Sequence, residues 1–151
     1  MARVFFTYEL EITPDSNPDT LIQIIAAANH QAVLHAIQAM PLGLTAATAP
    51  LEWVLSKQTD AGGTVDDSAN IQKDYPEAAE TIQTTIGKGG AGAEPTTTDK
   101  KESFTIHQQG TRLWKPGNPR GVLFIPGGTR MGIISVAGVY VNQRLRLYLE
   151  E

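Results

Sequence analysis

Apolar and polar residues alternate along most of the chain with a period of two. In the segment Val4 to Ile12, Phe6, Tyr8, Leu10 and Ile12 fall on one side and Phe5, Thr7, Glu9 and Glu11 on the other, as in a strand with one buried face. Asp15-Ser16-Asn17-Pro18-Asp19 ends it. The alternation returns in Leu51 to Lys57, where Leu51, Trp53 and Leu55 oppose Glu52, Val54 and Ser56. It is clearest in Val139 to Leu149, where Leu145, Leu147 and Leu149 oppose Arg144, Arg146 and Tyr148. Further β segments are predicted at Thr81 to Ile86, Phe104 to Gln108, Val122 to Ile125 and Met131 to Val136, with Gly- and Pro-rich separators between them. If the first and last strands are antiparallel neighbours, Arg144 and Arg146 face Glu9 and Glu11.

Leu21 to Met40 reads two ways. Its alanines and the spacing of Ile22, Ile25, Asn29, Val33, Ala36, Ile37 and Met40 suit a helix, whereas the preferred reading is two strands around a turn at Asn29-His30. Pro76-Glu77-Ala78-Ala79-Glu80 predicts one short helical turn, with Pro near its start and acids in its first turn. Residues Gly87 to Glu102 hold no large apolar side chain and predict an exposed, flexible loop. The expected fold class is therefore all-β: one antiparallel β-sandwich domain over residues 1–151, jelly-roll-like, of about eight strands.

At 151 residues the chain is long enough for one core that buries about 70% of the unfolded surface. The 41% hydrophobic and 19% charged content is that of a globular chain. The net charge of -4 argues against nucleic-acid binding, which draws affinity from phosphate neutralisation by Lys and Arg. No stretch approaches the roughly 20 apolar residues of a membrane span, and the opening residues lack a signal-peptide core, so Sec export is not expected. Charge is segregated: residues 1–102 carry 14 acids against 6 Lys and Arg, a net of -8, and residues 103–151 carry 2 acids against 6, a net of +4. Segregation of this kind suits docking to an oppositely patterned surface, unless strands of the two halves interleave.

Candidate chemistry is sparse. Gly87-Lys88-Gly89-Gly90-Ala91-Gly92 matches the dinucleotide fingerprint by letter, but Pro95 and Thr96-Thr97-Thr98 deny the helix that would hold a pyrophosphate. His30, His35 and His107 lack the paired spacing of a zinc site, and with no Cys there is no thiolate ligand or nucleophile. Asp60, Asp66, Asp67 and Asn70 share a loop that offers oxygen ligands to calcium, without the register of an EF-hand. No Gly-x-Ser-x-Gly elbow surrounds any serine. Trp53 alternates with leucines and reads as core. Trp114, beside Lys115-Pro116-Gly117, reads as a plug over one end of the sandwich or an interface anchor, and Trp114 and Arg120 are the candidate contact residues. No catalytic, cofactor-binding or metal-ligating residue is assigned.

The opening Met1-Ala2-Arg3 before an aromatic strand, Val33-Leu34-His35-Ala36-Ile37, the Trp53 strand before a Gly-rich turn, and Arg130-Met131-Gly132-Ile133 through Leu145 to Glu151 together resemble a group of small β-sandwich proteins encoded by tailed bacteriophages. These are similar in plan to head decoration (cement) and minor virion proteins. The resemblance implies a non-enzymatic virion structural protein whose partner is the major capsid protein or another virion protein. It brings no functional residues with it. Assembly as a small homo-oligomer, a trimer favoured, is expected because contacts shared among identical copies supply the roughly 1,200 to 2,000 Å² that a stable interface needs and three-fold symmetry matches an icosahedral lattice. Two other classes stand beside it: a glycan-binding or tail-associated adhesion sandwich, and a cupin-like or glycosidase-like enzyme.

Overall fold

The computed structural model of the chain describes residues 3–16, 18–43, 50–75, 79–90, 92–136 and 141–151. Among these lie twelve strands: β1 (Phe5–Ile12), β2 (Asp19–Ile25), β3 (Ala32–Pro41), β4 (Leu51–Gln58), β5 (Val65–Asp66), β6 (Gln72–Lys73), β7 (Thr85–Lys88), β8 (Thr97–Ile106), β9 (Arg112–Trp114), β10 (Leu123–Ile125), β11 (Arg130–Ser135) and β12 (Gln143–Glu150). A single 3-10 turn, Ser68–Asn70, is the one helical element among the described residues. The helical turn expected at 76–80 falls largely on residues outside the described ones.

Two sheets form, all pairs antiparallel. The first runs β10-β3-β12-β1-β6, with β9 beside β10 on the same edge of β3; the second runs β5-β7-β2-β11-β4-β8. The protein is thus an all-β sandwich, as the alternation requires. Between Leu21 and Met40 two strands form, β2 and β3, with the turn at Ala28-Asn29. Tertiary pairing decides here: Ile22, Ile24 and Leu34 can all be buried only on two pleated surfaces facing one interior.

The inner faces bury Phe6, Tyr8 and Leu10 of β1, Leu51, Trp53 and Leu55 of β4, and Leu145, Leu147 and Leu149 of β12. Each large apolar side chain so buried contributes about 1.5 to 3 kcal/mol. Three rings bridge the sheets: Trp53 stacks on Phe104 at 5.1 Å, and Phe104 on Trp114 at 5.0 Å. The Trp53 indole N–H donates to Gln143 Oε1 across the interior at 2.7 Å. This meets the one polar demand the indole makes when buried.

The two halves interleave. Glu9 pairs with Arg146 and Glu11 with Arg144 in the β1–β12 ladder, and Arg144 Nη2 lies 2.9 Å from Glu11 Oε2. The charge segregation of the sequence is cancelled on this part of the surface.

The exposed loop expected over residues 87–102 is corrected. Gly87 and Lys88 end β7, and β8 begins at Thr97, with Lys100 opposite Ser56 and Glu102 opposite Leu55. Its side chains up to Lys101 are exposed, but an edge strand is ordered by backbone hydrogen bonds and needs no apolar face. Lysines along it are a usual device against further pairing. The connection before it is tied to the second sheet: Gly89 N–H donates to Leu21 O at 2.8 Å, Gly63 N–H to Ala93 O at 2.7 Å, and Thr20 N–H to Glu94 Oε2 at 2.8 Å. A Cβ at Gly89 would lie 2.5 Å from Thr20 O, so glycine there serves close approach of two backbones.

Candidate docking face

The outer face of the first sheet leaves large apolar side chains in solvent. Phe5 of β1 is 42% exposed, Leu113 of β9 56% and Phe124 of β10 38%. The ladders put Phe124 and Phe5 in one row, since Phe124 pairs with Val33, Val33 with Glu150, and Glu150 with Phe5, while Leu113 pairs with Gln38 farther along β3. An open hollow of about 460 Å³ lies over this row, lined by Arg3, Val33, His35, Val122, Phe124 and Glu150 among others. Two more open onto the same face, one of about 400 Å³ around Arg120 and Phe124 and one of about 330 Å³ around Leu113, Lys115 and Tyr148.

A β-bulge shapes the floor. Tyr148 pairs with Ala36 and Leu149 with Leu34, so His35 is the extra residue of β3. Its Nε2 lies 2.8 Å from Glu150 Oε2, and Arg3 Nε lies 3.1 Å from Glu150 Oε1. The mostly buried Glu150 carboxylate thus holds the His35 ring and the Arg3 guanidinium, one per oxygen. Phe5 covers His35 at 6.0 Å between ring centroids.

Of the two candidate contact residues, the structure keeps Arg120 on this face. Its guanidinium sits 5.4 Å from the Phe124 ring centroid, a cation–π distance. Its N–H donates to Asn118 Oδ1 at 2.9 Å in an Asx turn that Gly121, at φ +66°, completes. Trp114 is corrected: it is 5% exposed and stacked on Phe104. It is the plug between the sheets, because β9 pairs with Ile37 to Ala39 and turns the indole inward. Sequence reasoning missed Phe5, Leu113 and Phe124. Phe5 stood on the expected solvent face of the first strand, and an apolar residue on a solvent face was the signal available.

The loop acids do not gather. Asp60 accepts N–H bonds from Gly62 and Thr96, Asp66 binds Ser68, and Asp67 binds Tyr8, Asn70 and Lys88. Among the described residues no group of three or more His, Asp or Glu side chains is placed to hold a metal ion. Lys88, the basic residue of the dinucleotide-like stretch, is paired to Asp67 at 3.1 Å.

The space between the sheets is filled mainly by apolar side chains, and exposed aromatics beside an arginine are of the kind enriched in protein contacts. No family model, no curated protein and no solved structure matches the chain.

Proposed function

We propose that the protein is a non-enzymatic virion structural protein of the capsid decoration type, which docks on a repetitive protein shell through the outer face of the first sheet. The observation that carries this reading is the exposure of Phe5, Leu113 and Phe124 on one outer face, beside adjoining hollows. Contiguous exposed apolar surface on one side of a folded domain marks a contact site, and aromatic side chains with arginine are what such contacts favour.

The connectivity supports it. The order β10-β3-β12-β1 opposite β2-β11-β4-β8 is read as a jelly roll, with β5, β6 and β7 inserted between β4 and β8. Viral capsid and lectin domains use this architecture; the support is an analogy of fold, to be weighed beside the site. The favoured assembly is a cyclic trimer, which matches the three-fold positions of an icosahedral shell and repeats one surface at each.

The test is sedimentation of purified protein with undecorated capsids of its own phage. Co-sedimentation that Phe124→Ser and Phe5→Ser abolish is expected. Failure to co-sediment, together with specific binding on a glycan array, replaces this reading with the adhesion alternative.

A further inference from the structure

The two opposite edges of the sandwich differ in charge, and each exposes apolar residues. At one edge β9 and β10 of the first sheet meet β8 of the second, as the stacking of Trp114 on Phe104 requires. Here a hollow of about 220 Å³ is walled by both sheets, with Phe124 from one and Lys57, Asp99, Lys101 and Arg130 from the other. With Arg120 and Lys115 of the neighbouring hollows, five cations and one acid, Asp99, line the three hollows that hold Leu113 and Phe124 on this side. The hollow on the other side of Phe124 holds Glu150 and Glu151 with Arg3.

At the other edge β6 and β5 are the outermost strands of the first and second sheets, and Tyr8 of β1, the neighbour of β6, donates to Asp67 just after β5. Val65 is 54% exposed and Tyr75 73%. In sequence they stand among Asp66, Asp67, Asp74 and Glu80; Lys73 lies within this stretch, and Lys88 pairs with Val65 in the β5–β7 ladder. Asp67 is matched by Lys88, whereas Asp66, Asp74 and Glu80 are exposed.

We propose that copies of this chain associate head to tail, the acidic edge around Val65 and Tyr75 of one copy seating on the basic edge around Phe124 and Leu113 of the next. The charges are complementary between the edges and repulsive within each, so edge-to-like-edge pairing is disfavoured. An interface of this kind is heterologous and closes into a ring when its rotation permits. The apolar residues at both edges supply the desolvated centre and the charges the rim. The inference uses Phe124, Leu113 and Arg120, which the proposed shell-docking face also uses, so the two contacts compete for these side chains, and the isolated protein reports on self-association alone.

Sedimentation of the purified protein without capsids tests it. At low ionic strength the wild type should sediment as an oligomer and dissociate at high salt, where charges more than a few ångströms apart are screened. Asp74→Lys/Glu80→Lys and Lys101→Glu/Arg120→Glu, all exposed positions, should each be monomeric with unchanged circular dichroism. The decisive arm mixes the two variants. Each retains the edge that the other lacks, and the two altered edges are again opposite in charge to one another, so the mixture should recover association at 1:1 stoichiometry. A wild type that stays monomeric at low salt and high concentration overturns the proposal, as does an oligomer that both variants still form. A mixture of the variants that remains monomeric also overturns it.

Discussion

The Tyr8 hydroxyl, on the inner side of the first strand, donates to Asp67 Oδ2 across 2.7 Å and fastens the inserted β5–β6 segment to the first sheet. A hydrogen bond to a charged acceptor contributes about 1.5 to 3 kcal/mol, and Tyr8→Phe should lower stability by that order in urea denaturation. The pair also sets two limbs of the pH profile. Burial acts to raise Asp67, but hydrogen bonds from Tyr8, Asn70 and Lys88 outweigh it and hold the carboxyl below its ordinary value. Its stabilisation is therefore complete above the unfolded value of about 4 and is lost as pH falls through the native one. Tyr8 is the converse case: burial first, then the hydrogen bond and charge of Asp67, push its hydroxyl up. That contribution is present below about pH 10 and lost above it. Asp67→Asn should flatten the acid limb and Tyr8→Phe the alkaline one.

Trp114 closes the interior, so its removal should be felt by the monomer. Trp114→Ala should cost about 3 to 5 kcal/mol through lost burial and the cavity left against Phe104. Both tryptophans are buried, and native fluorescence should be blue-shifted and move red in one step on unfolding. A near-neutral Trp114→Ala in a thermal melt would place the indole outside the core.

Leu147 is fully buried and pairs with Ile37 on one side and Tyr8 on the other. Leu147→Ala should lose about 2 to 5 kcal/mol, measured by the shift in denaturation midpoint at unchanged slope. A loss under about 1 kcal/mol would contradict its position at the centre of the sheet.

Gly132 leaves room for a buried amide. Gln58 donates to Thr20 Oγ1 at 2.9 Å and accepts from Gln23 Nε2 at 2.8 Å, and Arg130 Nη1 donates to Gln23 Oε1 at 2.9 Å. A Cβ at Gly132 would overlap the Gln58 amide. Gly132→Ala should displace Gln58, leave buried polar groups unpaired and destabilise by about 1 to 3 kcal/mol. Gly132→Ala/Gln58→Ala, which removes the overlapping side chain, should be less than additive in a double-mutant cycle.

Legibility in the sequence followed side-chain burial. β1, β4 and β12 each bury one face in the core and turn the other to solvent or polar groups, and period two writes that directly into the order of residues. The meeting of Glu9 and Glu11 with Arg146 and Arg144 followed from the same alternation once the strands were taken as neighbours. β9 was missed because Arg112-Leu113-Trp114 is too short to show a period. β8 from Thr97 to Glu102 was missed because an edge strand is held by its backbone, which residue types do not report. The candidate docking face was hidden for a related reason: β9, β10 and β1 are distant in sequence, and only the pairing of strands brings Leu113, Phe124 and Phe5 onto one face.

The central position of β12 has a consequence for how the chain folds. It lies between β1 and β3, so two strands from the first third of the sequence have no shared partner until the last strand arrives. Until then the first sheet is split, with Phe6, Tyr8 and Ile37 uncovered and two strand edges open to other chains. Closure must wait for contacts between residues more than a hundred positions apart, a high-contact-order step that slows folding. The emerging polypeptide is most exposed to aggregation during this interval, and a chain ending at residue 142 would remain in it permanently.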